Sequence, residues 1–144
     1  MTTTEKRASV RVEKHLPASP ERIFDAWLHT DTARKFLFAT EGGAMVRVAI
    51  DARPGGGFVM VDKREGQEIE HVGSYLEIDR PHRLVFDFAV PKFSAERTRV
   101  SVAIRGQEPG SVISITHEVV VAGYEERARQ GWSMMLDRLA SAII

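Results

Sequence analysis

The sequence contains no cysteine, so no disulfide can staple the fold and no thiolate can serve as nucleophile or metal ligand. It has no excess of either charge: 20 Lys and Arg balance 20 Asp and Glu. A chain built to coat nucleic acid or an anionic membrane carries a basic surplus, so neither partner is expected. No eighteen apolar residues run together, which excludes a membrane-spanning helix. Met1 to Ser9 is polar and of mixed charge, without the apolar stretch of a signal peptide, so the expected location is the cytoplasm. There is no internal repeat, low-complexity tract or linker. The 144 residues therefore read as one domain, 1–144, with about 1–7 as a flexible tail.

What is present is a clear order of periodicities. Val10 and Val12 alternate with Arg11 and Glu13 in a first strand over about Ala8 to Leu16. Pro17-Ala18-Ser19-Pro20-Glu21 then predicts a turn into a helix, with Ser19 as N-cap and Pro20 in the first helical position. Ile23, Ala26, Trp27 and Thr30 share one face of that helix, and Phe24 and Leu28 ask for a second buried contact. Asp31 is placed to cap a short further helix through Ala33 and Phe36. About six strands follow. Alternation runs through Val46, Val48 and Ile50, then Phe58 to Val61, then about Glu68 to Ile78. It continues through Leu84, Phe86 and Phe88, through Val100, Val102 and Ile104, and through Val112 to Val121. The joining turns centre on Pro54-Gly55-Gly56-Gly57, Glu65-Gly66, Arg80-Pro81 and Pro109-Gly110. Ala128, Trp132, Met135, Leu136, Leu139 and Ile143 then mark one face of a helix of about eighteen residues. Short turns join antiparallel neighbours, so the fold class is α+β, with an antiparallel sheet covered by one long helix.

No catalytic constellation emerges. Arg53-Pro54-Gly55-Gly56-Gly57 lacks the Lys-Ser/Thr ending of a phosphate loop and leads into a strand, so it reads as a tight turn. The histidines are His15, His29, His71, His82 and His117, and none pairs at ligand spacing, so no metal site is expected. Glu70, Glu77, Asp79 and Asp87 offer no pair held in contrasting environments, and Asp87 should face solvent between Phe86 and Phe88. Ser74, Ser101 and Ser114 lack a glycine-flanked elbow. His117 falls on the face of Ile113 and Ile115, either as a hydrogen-bonded histidine at the rim of the core or as a polar handle in a pocket.

Five strings in this order resemble the START-like (helix-grip, SRPBCC) superfamily, and within it the AHSA1-like domains named after the activator of Hsp90 ATPase. They are Pro17-Ala18-Ser19-Pro20-Glu21-Arg22-Ile23-Phe24 with Trp27, Asp51-Ala52-Arg53-Pro54-Gly55-Gly56-Gly57-Phe58, the run Gly73-Ser74-Tyr75-Leu76-Glu77-Ile78-Asp79-Arg80-Pro81-His82-Arg83-Leu84, Ile113-Ser114-Ile115-Thr116-His117, and Gly131-Trp132 followed by Leu136 and Leu139. The resemblance implies a helix-grip fold, a curved antiparallel β-sheet wrapped around a long C-terminal α-helix, with two short helices after the first strand. After the first helix the chain departs from the family: Lys35-Phe36-Leu37-Phe38 stands where members often carry a Trp segment that shapes the pocket mouth.

The implied role is a non-catalytic domain that binds a small hydrophobic molecule between sheet and helix, without cofactor. The expected lining is Trp27, Phe58, Met60, Tyr75, Phe86, Phe88, Ile115, His117, Trp132 and Met135, with Tyr75, His117 and Arg99 as candidate polar groups. The alternatives implied by the same family are a co-chaperone-like module docking on a chaperone or other protein, with a stress-response role, and a cyclase- or hydratase-like enzyme using the same cavity. A homodimer stays open.

Overall fold

The computed structural model describes residues 8–119 and 123–143. Val120 and Val121, expected to extend the last strand, lie outside the described residues. The order is β1 (Ala8–Leu16), α1 (Pro20–Leu28), α2 (Thr30–Phe36), β2 (Ala44–Ile50), β3 (Gly57–Arg64), β4 (Gln67–Asp79), β5 (Arg83–Val90), β6 (Ser94–Gly106), β7 (Ser111–Val119) and α3 (Glu125–Ile143). All seven strands form one antiparallel sheet, ordered β1-β7-β6-β5-β4-β3-β2. Each strand from β2 to β6 pairs with its successor through a short turn, and β1 joins at the far side of β7. Shifts of register between Met45 and Arg47, Tyr75 and Glu77, and Phe88 and Val90 mark bulges, which bend and twist a sheet. The curved sheet holds α1, α2 and α3 on its concave side. This is the helix-grip architecture.

Local chemistry explains the joints. Ser19 Oγ accepts the Arg22 N–H at 3.2 Å, and Pro20 opens α1 where its missing N–H is not needed. Glu65 (φ +49) and Gly66 (φ +79) occupy the two positions that a type I′ hairpin turn requires in the left-handed region. At Gly73 a Cβ would run into the Phe58 ring and the Asp87 carbonyl, so only glycine lets that ring lie across β4.

Three expectations are corrected. The bulge in β2 turns Met45 inward with Val48 and Ile50 and leaves Val46 48% exposed, because one extra residue inverts the alternation before it. His29, not Asp31, is the N-cap residue of α2, and no side chain caps it. The Thr32 hydroxyl instead donates to the Ala26 carbonyl at 3.0 Å, tying α2 to α1. Thr30 begins α2 and is exposed, so it is not part of the buried face of α1, whereas Phe24 does find its buried contact.

Candidate functional site

Two cross-strand rows carry most of the interior. Val10, His117, Val100, Phe86 and Tyr75 lie side by side across β1, β7, β6, β5 and β4. Thr98, Phe88, Gly73, Phe58 and Ile50 form a second row across β6, β5, β4, β3 and β2. Trp27 comes down from α1, Trp132 and Met135 from α3, and Met60 and Ile115 fill neighbouring positions. All ten residues named from the sequence therefore face one interior. Eight are buried, and Phe88 and Met135 are half-buried against them. Arg99 does not join them: it alternates with Thr98 and Val100 and is exposed.

The rings occupy this interior themselves. Trp27 stacks on Trp132 at 6.2 Å and meets Phe36 edge-on at 5.0 Å; Phe58 meets Phe86 at 5.6 Å and Tyr75 at 5.7 Å. At the centre lies a ring that is not among the ten, although it belongs to the segment Lys35-Phe36-Leu37-Phe38 where the chain departs from the family. Phe38, from the connection between α2 and β2, is 4.5 Å from the His71 imidazole, 4.9 Å from Phe88, 6.0 Å from Phe58 and 6.2 Å from Trp132. An open hollow of about 400 Å³ borders the second row at Ile50, Phe58 and Gly73. Another, of about 730 Å³, is a shallow depression away from the rings, beside Lys35, Met134, Asp137, Arg138, Ser141 and Ala142.

The polar groups of the interior are few and mostly committed. His117 Nδ1 accepts the Trp132 Nε1–H at 3.0 Å, and its Nε2 lies 2.8 Å from Thr98 Oγ1. An indole nitrogen can only donate, so Nδ1 carries no proton, and Nε2–H donates to the threonine hydroxyl. Burial holds this imidazole neutral, with its pKa lowered to about 4. Of the two alternatives for His117, the hydrogen-bonded core histidine describes its contacts. His71 lies 3.3 Å through Nδ1 from the Met60 carbonyl, which fixes the proton on that nitrogen. Its pKa is also lowered to about 4, first by burial. Tyr75 is pushed up, first by burial and then by the negative charge of Asp51.

Asp62 was missed as well. Only 1% exposed, it accepts from Thr40 Oγ1 at 2.7 Å and lies 2.9 Å from Arg64 Nε. Alternation from Phe58 through Met60 to Asp62 was the signal that could have found it. Asp87, expected to face solvent, is half-buried instead. It accepts from the Ser74 N–H at 3.2 Å and pairs with Arg97 at 2.7 Å. Two buried donors lack a hydrogen bond among the described residues, Arg64 Nε and Trp27 Nε1. Arg64 Nε still lies 2.9 Å from the Asp62 carboxylate as an ion pair, whereas the Trp27 N–H has no such partner.

The family model described as "Activator of Hsp90 ATPase homolog 1-like protein" matches residues 17–143. The chain belongs to this family. Its AHSA1-like, START-like fold recurs in protein CV1439 from Chromobacterium violaceum, 26% identical, with a TM-score of 0.85 over 94% of this chain and 96% of that one. It recurs in SA2116 from Staphylococcus aureus, a protein of unknown function, at 19% identity and a TM-score of 0.85 over 96% and 94% of the two chains. The AHSA1-like protein from Aeromonas hydrophila shares 17% identity, with a TM-score of 0.80 over 94% and 92%. No curated protein matches the chain. Among the described residues of this AHSA1-like domain, no helix is long and apolar enough to cross a membrane.

Proposed function

We propose that this AHSA1-like domain is a cytoplasmic, non-catalytic binder of a small, uncharged, largely apolar molecule, held between the sheet and α3 by the ten residues named above. The observation that carries this reading is the Trp27 indole. It is 1% exposed, surrounded by Phe36, Phe86 and Trp132, and its N–H finds no acceptor in the described protein. A buried donor without a partner costs about 1–3 kcal/mol, which a ligand acceptor at that point relieves. Uncharged ligands fit an interior whose two histidines are neutral and whose carboxylate, Asp62, is already paired.

Native and denaturing mass spectrometry of freshly purified protein tests this. Added mass present only under native conditions, and diminished in Trp27→Phe, is the expected result. A clean apo mass from cells, together with no uptake from a panel of neutral aromatic compounds, overturns it. A second reading is a co-chaperone-like docking module. It is supported by the family's description, and Phe93, 71% exposed at the turn between β5 and β6, is the apolar side chain its test removes. Calorimetric titration into a purified Hsp90-type chaperone, with Phe93→Ser as comparison, decides it: no heat of binding removes this reading.

A further inference from the structure

Phe38 reaches the interior from neither a strand nor a helix. It sits two residues beyond the end of α2, in the connection that leads to Ala44. Its φ is +57, a region that bulky side chains avoid because Cβ crowds the backbone. Glu65 is the other described non-glycine residue with positive φ, and the two-residue hairpin turn accounts for it. Phe38 is the third residue of a type II turn over Phe36–Ala39, in which Leu37 has φ −75 and ψ 121 and the Ala39 N–H reaches the Phe36 carbonyl. That position demands positive φ and ordinarily takes glycine or asparagine, and here it carries a phenylalanine. What the unfavourable backbone achieves is the placement of one ring, nearly parallel to the His71 imidazole (12°) and within 4.9–6.2 Å of Phe88, Phe58 and Trp132. Those three rings are among the expected ligand lining.

The ring is buried, but the backbone that carries it is lightly held. The Phe38 N–H meets the Met135 thioether sulfur at 3.3 Å, a weak acceptor, and the next amide, Ala39, reaches the Phe36 carbonyl only at 3.4 Å. Strained backbone that persists at one point of a fold is a recurrent mark of clamps and switches. Resting on the ligand-binding reading above, we propose that Phe38 is a resident stand-in for the ligand: its ring fills the ligand's place against His71, and a planar, uncharged aromatic molecule binds by displacing it.

The planar stack on His71 sets the shape of the ligand. A saturated or branched apolar molecule does not reproduce a 4.5 Å parallel contact with an imidazole face. The lack of charge follows from the same surroundings, since an ionised ligand would stand among aromatic rings with no described counter-ion left unpaired.

The test uses N-phenyl-1-naphthylamine, a neutral aromatic probe that fluoresces on leaving water, with the wild-type chain and the variants Phe38→Ala, Phe38→Leu and Phe86→Ala. If the ring is withdrawn in about one molecule in ten, removing it tightens apparent affinity about tenfold, because affinity scales with the competent fraction. Phe38→Ala is therefore expected to bind about tenfold more tightly than wild type, and Phe38→Leu to show a smaller gain; if Phe38→Ala does not fold, the leucine variant carries the comparison. Phe86→Ala removes a wall of the site from a strand and is expected to gain nothing. Equal affinity of wild type and both Phe38 variants, or an equal gain in Phe86→Ala, overturns the displacement and leaves the ligand site standing. Absence of binding by every variant removes the ligand site, and this proposal with it.

Discussion

At the scale of single residues, the two buried histidines give the fold a pH dependence whose sign is fixed. Both have folded pKa values near 4, below the ordinary 6.5, first because burial disfavours the imidazolium. Between pH 6.5 and 4 the unfolded chain therefore binds more protons than the folded one, and stability falls as pH falls through that window. Above pH 6.5 their contribution is fully present. Urea midpoints measured from pH 7.5 to 4 should drop, and the drop should shrink in His71→Gln/His117→Gln. An equal drop in the double variant would assign it to other groups. The lowered Asp25 carboxyl, hydrogen-bonded first of all by Arg80, acts only below the ordinary aspartate value of 3.8, outside this window. The two tryptophans make a matched pair. Trp132→Phe strips a buried hydrogen bond from His117 Nδ1, whereas Trp27→Phe removes a donor that has no partner. The second should therefore be milder by about 1–3 kcal/mol in denaturant unfolding. Sequence alternation placed His117 on its face, yet which of its nitrogens is protonated depends on Trp132, fifteen residues away on another element.

At the scale of elements, two glycines separate space from conformation. A Cβ at Gly73 meets the Phe58 ring and the Asp87 backbone carbonyl, so Gly73→Ala overpacks the second row and should cost about 1–3 kcal/mol. Gly131 lies inside α3 with nothing within 4 Å of its would-be Cβ. Gly131→Ala should stabilise the chain by about 0.5–1 kcal/mol, because alanine loses less backbone freedom in a helix. Thermal melts of both variants check the two signs together. The elements themselves were legible because each has one dominant face: β6 buries Val100, Val102 and Ile104, and α3 buries Trp132, Leu136, Leu139 and Ile143. What alternation does not encode is a bulge. At Met45 and Arg47 the ladder slips by one residue, and Val46 changes sides although its neighbours in sequence keep the pattern. The connection holding Phe38 has no period at all, so the ring at the centre of the candidate site was the residue that patterning could least reveal.

At the scale of the whole molecule, the open sheet leaves two edges, β1 and β2, and the balanced charge of the chain supplies no general repulsion to keep copies apart near neutral pH. Each edge must then be guarded locally. β1 carries Arg11, Glu13 and Lys14, the last paired with Asp137 on α3 at 3.1 Å. β2 reads Ala-Met-Val-Arg-Val-Ala-Ile over Ala44–Ile50, an apolar segment whose one charge is Arg47, at the bulge. Arg34 from α2 also donates to the Met45 carbonyl at 3.2 Å, occupying one acceptor beside the bulge. A bulge and a charged side chain are the two devices that stop an edge strand from templating another. Arg47→Val removes the charge and creates a run of β-branched and apolar residues with high strand propensity. Its expected effect is self-association, seen as a concentration-dependent rise in sedimentation coefficient at pH 7, while the thermal midpoint in dilute solution changes little. Arg47→Lys should remain as dispersed as wild type. If Arg47→Val stays dispersed too, the bulge at Met45 and the Arg34 contact guard the edge by themselves, and the charge at position 47 has no part in it.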